Sequence, residues 1–357
     1  MDINNTSFPW LELIDYPAFC VKDGVIIAAN TLAEQRQFSV GADINRFVTE
    51  HREAYQTFEK GSLYLTVDVC GIPFPACVTR TQECDIFHIR RGEDDSALQA
   101  LALAASQLRI PLANVMASTD HLLSNLENPD SNTRVQAGQI NQNLYRLLRI
   151  ISNMSDASDY ALTGNAGMQT TELVSFISEV MEKAQTFFTG TDITLAYTGP
   201  SGSVFGTANT EKLERAIYNL LSNAAKFSQP GSTVTATLAH SENRLIFTLC
   251  NTIPQELSGQ TLWQRYRREP GIEDPRYGLG LGMTLVSAAA ALHGGTVLVD
   301  HPVPEQTRVT MTIPVVKGSS DNLRSPVLRL SDYAGGRDIG LIELAEVLPY
   351  EIYQDIN

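Results

Sequence analysis

Up to about residue 90, short apolar runs alternate with turn residues. Residues 19–35, FCVKDGVIIAANTLAEQ, read as a strand, a turn at Asp23-Gly24, a second strand and a helix. YLTVDVCGIPFPACV (64–78) and CDIFHIR (84–90) continue as strands of one sheet. The period then changes. Leu98, Leu101, Ala105, Leu108 and Leu112 recur at steps of three and four, which predicts a long helix. Pro111 lies inside it and is expected to kink it, because proline has no backbone donor. NPDSN (128–132) reads as a turn, and Val135, Ile140, Leu144, Leu147, Leu148 and Ile151 stripe a second helix.

Beyond residue 170, helices and strands mix. ELVSFISEVMEKAQTFF (172–188), TEKLERAIYNLLSNAAKFS (210–228) and MTLVSAAAALHGG (283–295) read as helices, the last ended by glycines. ITLAYTG (193–199), TVTATLAH (233–240), RLIFTLCN (244–251), TVLVD (296–300) and TRVTMTIPV (307–315) read as strands. Near the end, PVLRL (326–330) predicts a strand and IGLIELAEVLPYEIY (339–353) a helix. Breaks at RRGEDDS, ALTGNAGMQT and VKGSSDNLRSP divide the chain. The expected units are 1–92, a small α/β domain; 93–162, a helical hairpin; 168–316, an α/β sandwich; and 317–357, an extension of unknown role. The fold class is multidomain α+β. Two apolar-striped helices bury themselves poorly alone, so two copies of the hairpin are expected to pair into a four-helix bundle.

At 357 residues there is room for two or three cores. A net charge of −14 argues against wrapping nucleic acid or binding an anionic membrane. No apolar run is long enough to span a bilayer, and MDINNTSFPW has neither a basic nor an apolar leader region. Five scattered cysteines without a CxxC pair fit free thiols in a reducing compartment, so the expected location is cytoplasmic. Cys70, Cys77 and Cys84 are evenly spaced, but no histidine stands at ligand spacing, and strand residues explain them better than zinc.

The candidate chemistry sits in three places. Residues 106–112 read SQLRIPL within the first long helix. Asn219, Asn223 and Lys226, in NLLSNAAKFS, fall at i, i+4 and i+7 and so share one helix face. An amide oxygen there suits Mg²⁺, and a lysine suits phosphate; the plainer alternative is a polar helix face with no ligand. Gly278, Gly280 and Gly282 precede a helix, where backbone and helix N-terminus favour phosphate.

Together these motifs resemble the sensor histidine kinases. SQLRIPL stands where that family has its phosphoacceptor box, H-E-L-R-T-P-L. Leu108, Arg109, Pro111 and Leu112 keep the frame, while Ser106 replaces the histidine, Gln107 the acid and Ile110 the threonine. NLLSNAAKFS resembles the family's N box. The resemblance implies that Asn223 is the metal-coordinating asparagine and that Lys226 contacts phosphate. GLGLGM (278–283) resembles the G2 box, LWQRYRRE (262–269) the F box, and EPGIEDPRY between them the lid over the nucleotide. His293 reads as a helix-end residue. The first domain resembles a PAS sensor, with Asn30 matching that family's asparagine. A PAS domain holds a ligand or serves only to relay and dimerise.

The departure is in the G1 box. The family has D-x-G-x-G, whose aspartate accepts from the adenine amino group; here the strand ends in Asn251-Thr252-Ile253-Pro254. Asn251 still offers an amide oxygen, without charge assistance. The glycines are gone, so ATP affinity is expected to be lowered or lost.

The expectation is therefore a histidine-kinase-like homodimer that keeps the architecture and has lost the transfer centre. Ser106 has a hydroxyl of far higher pKa than imidazole, and Gln107 accepts no proton. Gln107 and Ile110 also remove the groups the family uses to dephosphorylate its partner. His121 lies about 22 Å further along a straight helix, too far to substitute. Such a protein would act by conformation and by binding a response regulator or another kinase, with ATP and Mg²⁺ as a weakened or lost input. The alternative is an ATP-dependent kinase acting on a histidine, serine or threonine of another protein.

Overall fold

The structure, a computed structural model, describes residues 8–14, 16–89, 95–125, 130–162, 167–241, 243–254, 282–315 and 337–354. The first domain has strands β1 (Ala18–Lys22), β2 (Val25–Ala29), β3 (Gly61–Val69), β4 (Ile72–Arg80) and β5 (Asp85–Ile89), with short helices α1 (Thr31–Gln35) and α2 (Arg52–Thr57). Its strands run in the order β2-β1-β5-β4-β3. Two tight hairpins set the registers. Asp23-Gly24 joins the Lys22↔Val25 pair, and Cys70-Gly71 joins the Val69↔Ile72 pair. All four turn residues have positive φ, the two-residue geometry that matches strand twist. The core is aromatic, with Phe19 stacked between Phe38 and Phe87 at 4.8 Å from each.

Asn30 organises this domain's entrance. Its Oδ1 accepts from Ala18 N at 3.0 Å and from Ala33 N at 2.9 Å, capping α1. Its Nδ2 donates to Tyr16 O at 2.8 Å and, more loosely, to Leu11 O and Ile14 O.

Two long helices follow, α3 (Asp95–Ser124) and α4 (Ser131–Leu162), packed against each other. α3 runs through Pro111 without a break in the helix. The stripe read from the sequence splits: Ala105, Leu112, Leu144, Leu148 and Ile151 are buried, together with Met116, which that stripe does not include, whereas Leu108, Ile140 and Leu147 are about half exposed. A heptad position faces either the neighbouring helix or the surface beyond it, and spacing alone does not distinguish the two.

The remainder packs helices α5 (Leu173–Phe188), α6 (Thr210–Phe227) and α7 (Gly282–Leu292) on strands β7 (Thr194–Thr198), β9 (Thr233–Ser241), β10 (Arg244–Thr252), β11 (Val297–Asp300) and β12 (Gln306–Pro314). β10 pairs antiparallel with β9 and β12, and β7 runs parallel to β9 at the edge. Burial alternates residue by residue along β10 and β12, as expected when one face carries helices. A separate ribbon of β6 (Gln169–Glu172) and β8 (Phe205–Ala208) flanks the sheet and has no counterpart in the sequence reading.

Two features join the parts. The first domain's sheet and this one are continuous, because β3 pairs with β11 through Tyr64↔Val297, Leu63↔Leu298 and Ser62↔Val299, giving ten strands. Gly61 permits the approach, since a Cβ there would sit 2.3 Å from Val299 O. The C-terminal segment, with helix α8 (Ile339–Glu343) and a 3₁₀ turn at Tyr350–Tyr353, wedges between α4, α5 and α6. Its Ile342, Leu344, Ala345, Leu348 and Tyr353 are fully buried. The long helix expected over 339–353 is thus a short helix, a turn and a 3₁₀ turn, with Pro349 interrupting it. The strand expected at 326–330 lies outside the described residues.

Candidate functional site

α6 begins at Asn209, whose Oδ1 accepts from Lys212 N at 3.1 Å. His293, just past α7, ties the two helices. Its Nε2 accepts from Asn209 N at 3.0 Å, and its Nδ1 donates to Ala289 O at 2.6 Å. Both bonds fit a neutral imidazole, and burial holds its pKa below the usual value. His293 is a fastener between helix ends, as its position suggested.

Asn219, Asn223 and Lys226 follow on α6, and Gly282 opens α7 against them. A Cβ on Gly282 would lie 3.3 Å from Asn219 Oδ1 and 3.5 Å from Asn223 Nδ2. Gly278 and Gly280, with the F box and lid segments, lie outside the described residues. Asn251 is buried near the end of β10, paired with Thr307 across the sheet. Ile253, in place of a G1 glycine, is buried as well.

Sequence reasoning missed what occupies this face. Glu343 and Glu346 arrive from the C-terminal segment, and Arg149 from α4. Asn219 Nδ2 donates to Glu343 Oε2 at 3.0 Å, and Arg149 Nη2 donates to Asn219 Oδ1 at 3.2 Å. Arg149 Nε also reaches Glu343 Oε2 at 3.2 Å, and Arg149 Nη1 lies 3.0 Å from Glu346 Oε2, an ion pair without hydrogen-bond alignment. Lys226 Nζ contacts Glu346. Arg215 Nε donates to Glu343 Oε1 at 2.8 Å; its two other nitrogens reach Asp156 and, at 3.1 Å, Asn153. Arg149, Arg215 and Lys226 thus face Glu343, Glu346 and Asp156 in a largely dry cluster, where buried charge is tolerated because it is paired. Burial, with Arg149 and Arg146 close by, pushes the Lys226 ammonium down to about 7.

This arrangement bears on Mg²⁺. A guanidinium sits on the Asn219 oxygen, so that oxygen faces a cation already. Asn223 keeps an amide oxygen beside Gly282, a donor of the type a hard cation accepts.

Residues 106–112 lie on α3. Ser106, Gln107 and Ile110 are exposed. The Ser106 hydroxyl donates to Leu103 O at 2.8 Å, within its own helix. His121, in the last turn of α3, is exposed beside Asn125.

Residues 208–317 match the family of histidine kinase-, DNA gyrase B- and HSP90-like ATPases. Hybrid signal transduction histidine kinase D of Dictyostelium discoideum is 28% identical over 248 residues, covering 64% of this chain and 15% of that protein. Histidine protein kinase DivJ of Caulobacter vibrioides is 26% identical over 251 residues, covering 64% of this chain and 41% of its own length. Full-length ShkA in complex with AMPPNP is similar at 19% identity and a TM-score of 0.47, over 62% of this chain and 47% of that one. Over 64% of its length the chain is similar to these histidine kinases. It spans less than half the length of these curated relatives. Among the described residues, no helix is long and apolar enough to cross a membrane.

Proposed function

We propose that this chain is a two-component-type signalling protein, a histidine-kinase-like homodimer that does not autophosphorylate and signals through conformation and partner binding. The observation behind this reading is the state of the box. The Ser106 hydroxyl is committed to its own backbone, and its neighbours Gln107 and Ile110 offer no base. The partner class is a response regulator or another kinase. The region 1–92 serves as a PAS-like input, organised by Asn30; 93–162 forms half of a four-helix bundle; 168–316 is the nucleotide-responsive sandwich.

In this reading the nucleotide site comprises Asn219, Asn223, Lys226, Asn251, Gly278, Gly280 and Gly282, with Mg²⁺ at Asn223. Lys226 would bind phosphate and Asn251 the adenine edge. The proximity of Gly282 to Asn223 supports the phosphate half, and the buried Ile253 in the G1 position weighs against the adenine half.

A second reading, an ATP-dependent kinase acting on another protein, rests on that same phosphate half. One experiment separates the two. The full chain is incubated with Mg²⁺ and ATP labelled on its terminal phosphate, alone and with candidate response regulators. No label on the chain or the regulators, with regulators recovered in a pull-down, is the expected result. Label on Ser106 or on another protein would favour the kinase reading.

A further inference from the structure

Two independent sets of contacts hold the C-terminal segment over the Asn219–Lys226 face. The first is the charge cluster, in which Glu343 takes the Asn219 amide and Glu346 takes Lys226. The second is made with α4. On α4, Gln142 Nε2 donates to Leu348 O at 2.6 Å, Arg146 Nε to Ala345 O at 3.0 Å, and Asn141 Nδ2 to Tyr353 O at 3.1 Å. The Tyr353 ring packs edge-on against Tyr145 at 5.2 Å. The backbone is close as well: a Cβ on Gly340 would lie 2.7 Å from Phe187 and Tyr218, and one on Gly138 2.6 Å from Tyr350 O.

A carboxylate shares with a phosphoryl group what this face recognises, namely negative oxygens that accept from amide and ammonium donors. We propose that residues 338–353 are a built-in competitor for nucleotide phosphate, in which Glu346 and Glu343 hold the Lys226 and Asn219 donors so that Mg²⁺-nucleotide binds only when the segment undocks. The inference rests on the nucleotide-site reading above. Two features support it. Glu346 already engages the Lys226 ammonium, so a phosphoryl group has to displace or share that contact. The Arg149 guanidinium on Asn219 Oδ1 repels a divalent cation at that oxygen, and Arg149 is itself held there by Glu343 and Glu346. Because the segment bridges α4 and α6, its release removes one set of links between hairpin and sandwich, while Arg215 still reaches Asp156 and Asn153 on α4.

If the binding-competent form is a minor fraction, apparent affinity falls by that fraction. Two variants shift the balance without touching the site residues. Gly340→Val places a side chain against Phe187 and Tyr218, and Gly138→Val places one against Tyr350 O. The full chain and both variants are titrated calorimetrically with Mg²⁺ and a non-hydrolysable ATP analogue. Hydrogen exchange of the 338–353 amides is followed with and without the analogue. The expected results are binding at least about tenfold tighter in the variants and faster exchange of 338–353 in the wild-type chain when the analogue is added. A variant whose segment exchanges freely but binds the analogue no more tightly than wild type overturns the competition and leaves the nucleotide site standing. Absence of binding in wild type and in a folded, segment-released variant overturns both. If one variant fails to fold, the other and the wild-type exchange measurement still decide the matter.

Discussion

Arg215 Nε donates to Glu343 Oε1 at 2.8 Å, joining residues 128 positions apart with almost no access to water. The two side chains come from α6 and α8, and Glu343 also carries contacts from Arg149 and Asn219. Removing one partner of such a pair leaves uncompensated buried charge, which costs about 3–5 kcal/mol. Glu343→Ala is therefore expected to lower the melting temperature by several degrees, whether the guanidinium groups stay buried or expel α8 to reach water. Glu351→Ala, at an exposed position, serves as the control and should melt as wild type. An unchanged transition in Glu343→Ala would mean the cluster contributes nothing to the fold.

Asn30 is nearly inaccessible, and its side chain ties Ala18, Ala33 and the 11–16 segment together. Alanine removes the α1 cap and leaves Tyr16 O and Ala18 N without this partner. Cap loss costs about 1 kcal/mol, and a stranded buried group adds about 1–3 kcal/mol. Asn30→Ala should destabilise the first domain by about 2–4 kcal/mol, and Asn30→Asp should destabilise it as well, since it keeps the acceptor but turns a buried carboxylate towards the Tyr16 carbonyl. Urea denaturation followed by tryptophan fluorescence, with Trp10 next to this junction, reads the difference. A transition unchanged in Asn30→Ala would show that these contacts contribute nothing to the domain's stability.

The asparagine stood out in the sequence because it follows a strand–turn–strand pattern whose Asp23-Gly24 turn is local. The same holds for the pairing of β9 with β10 and for the polar face of α6, since each depends only on residues near in sequence. What was not legible depends on distant partners. Nothing in GSLYLTV marks β3 as the strand that meets β11, because an edge strand looks the same whether solvent or another strand lies beside it. The burial of Glu343 was equally hidden, because a glutamate in a short amphipathic run reads as solvated until Arg149 and Arg215 are seen to converge on it. At the site, the Asn219–Lys226 face was read from helical spacing, whereas the carboxylates covering it come from a segment more than a hundred residues away.

Burial pushes the His88 imidazole down to about 4. The unfolded value is higher, near 6.5, so the unfolded chain binds a proton first as pH falls. The stability this group lends is complete above about pH 6.5 and is lost as pH drops towards 4, by up to about 3 kcal/mol. His51 and His293 are shifted in the same direction, also mainly by burial, and add to the trend. His88→Gln should flatten the first domain's stability between pH 6.5 and 4 relative to wild type, as followed by urea midpoints at several pH values. Parallel curves for the two proteins would show that His88 is protonated in the folded state at little cost.

The outward faces of α3 and α4 carry the proposed dimer contact. Leu108, Val115 and Leu122 lie seven residues apart on α3 and are 50%, 52% and 69% exposed; Ile140 and Leu147 form a similar pair on α4. Seven residues are two helical turns, so each set forms a line along its helix, the geometry of a bundle seam. Burying one such side chain is worth about 1.5–3 kcal/mol, and in a two-fold symmetric dimer each position counts twice. Val115→Lys with Leu122→Lys should therefore weaken dimerisation by at least about a hundredfold, because like charges would also face each other across the axis. Both positions are exposed in the single chain, so its melting at low concentration should change little. Sedimentation equilibrium measures the association directly. A double variant that dimerises as tightly as wild type would remove these faces from the interface and leave their exposed leucines unexplained.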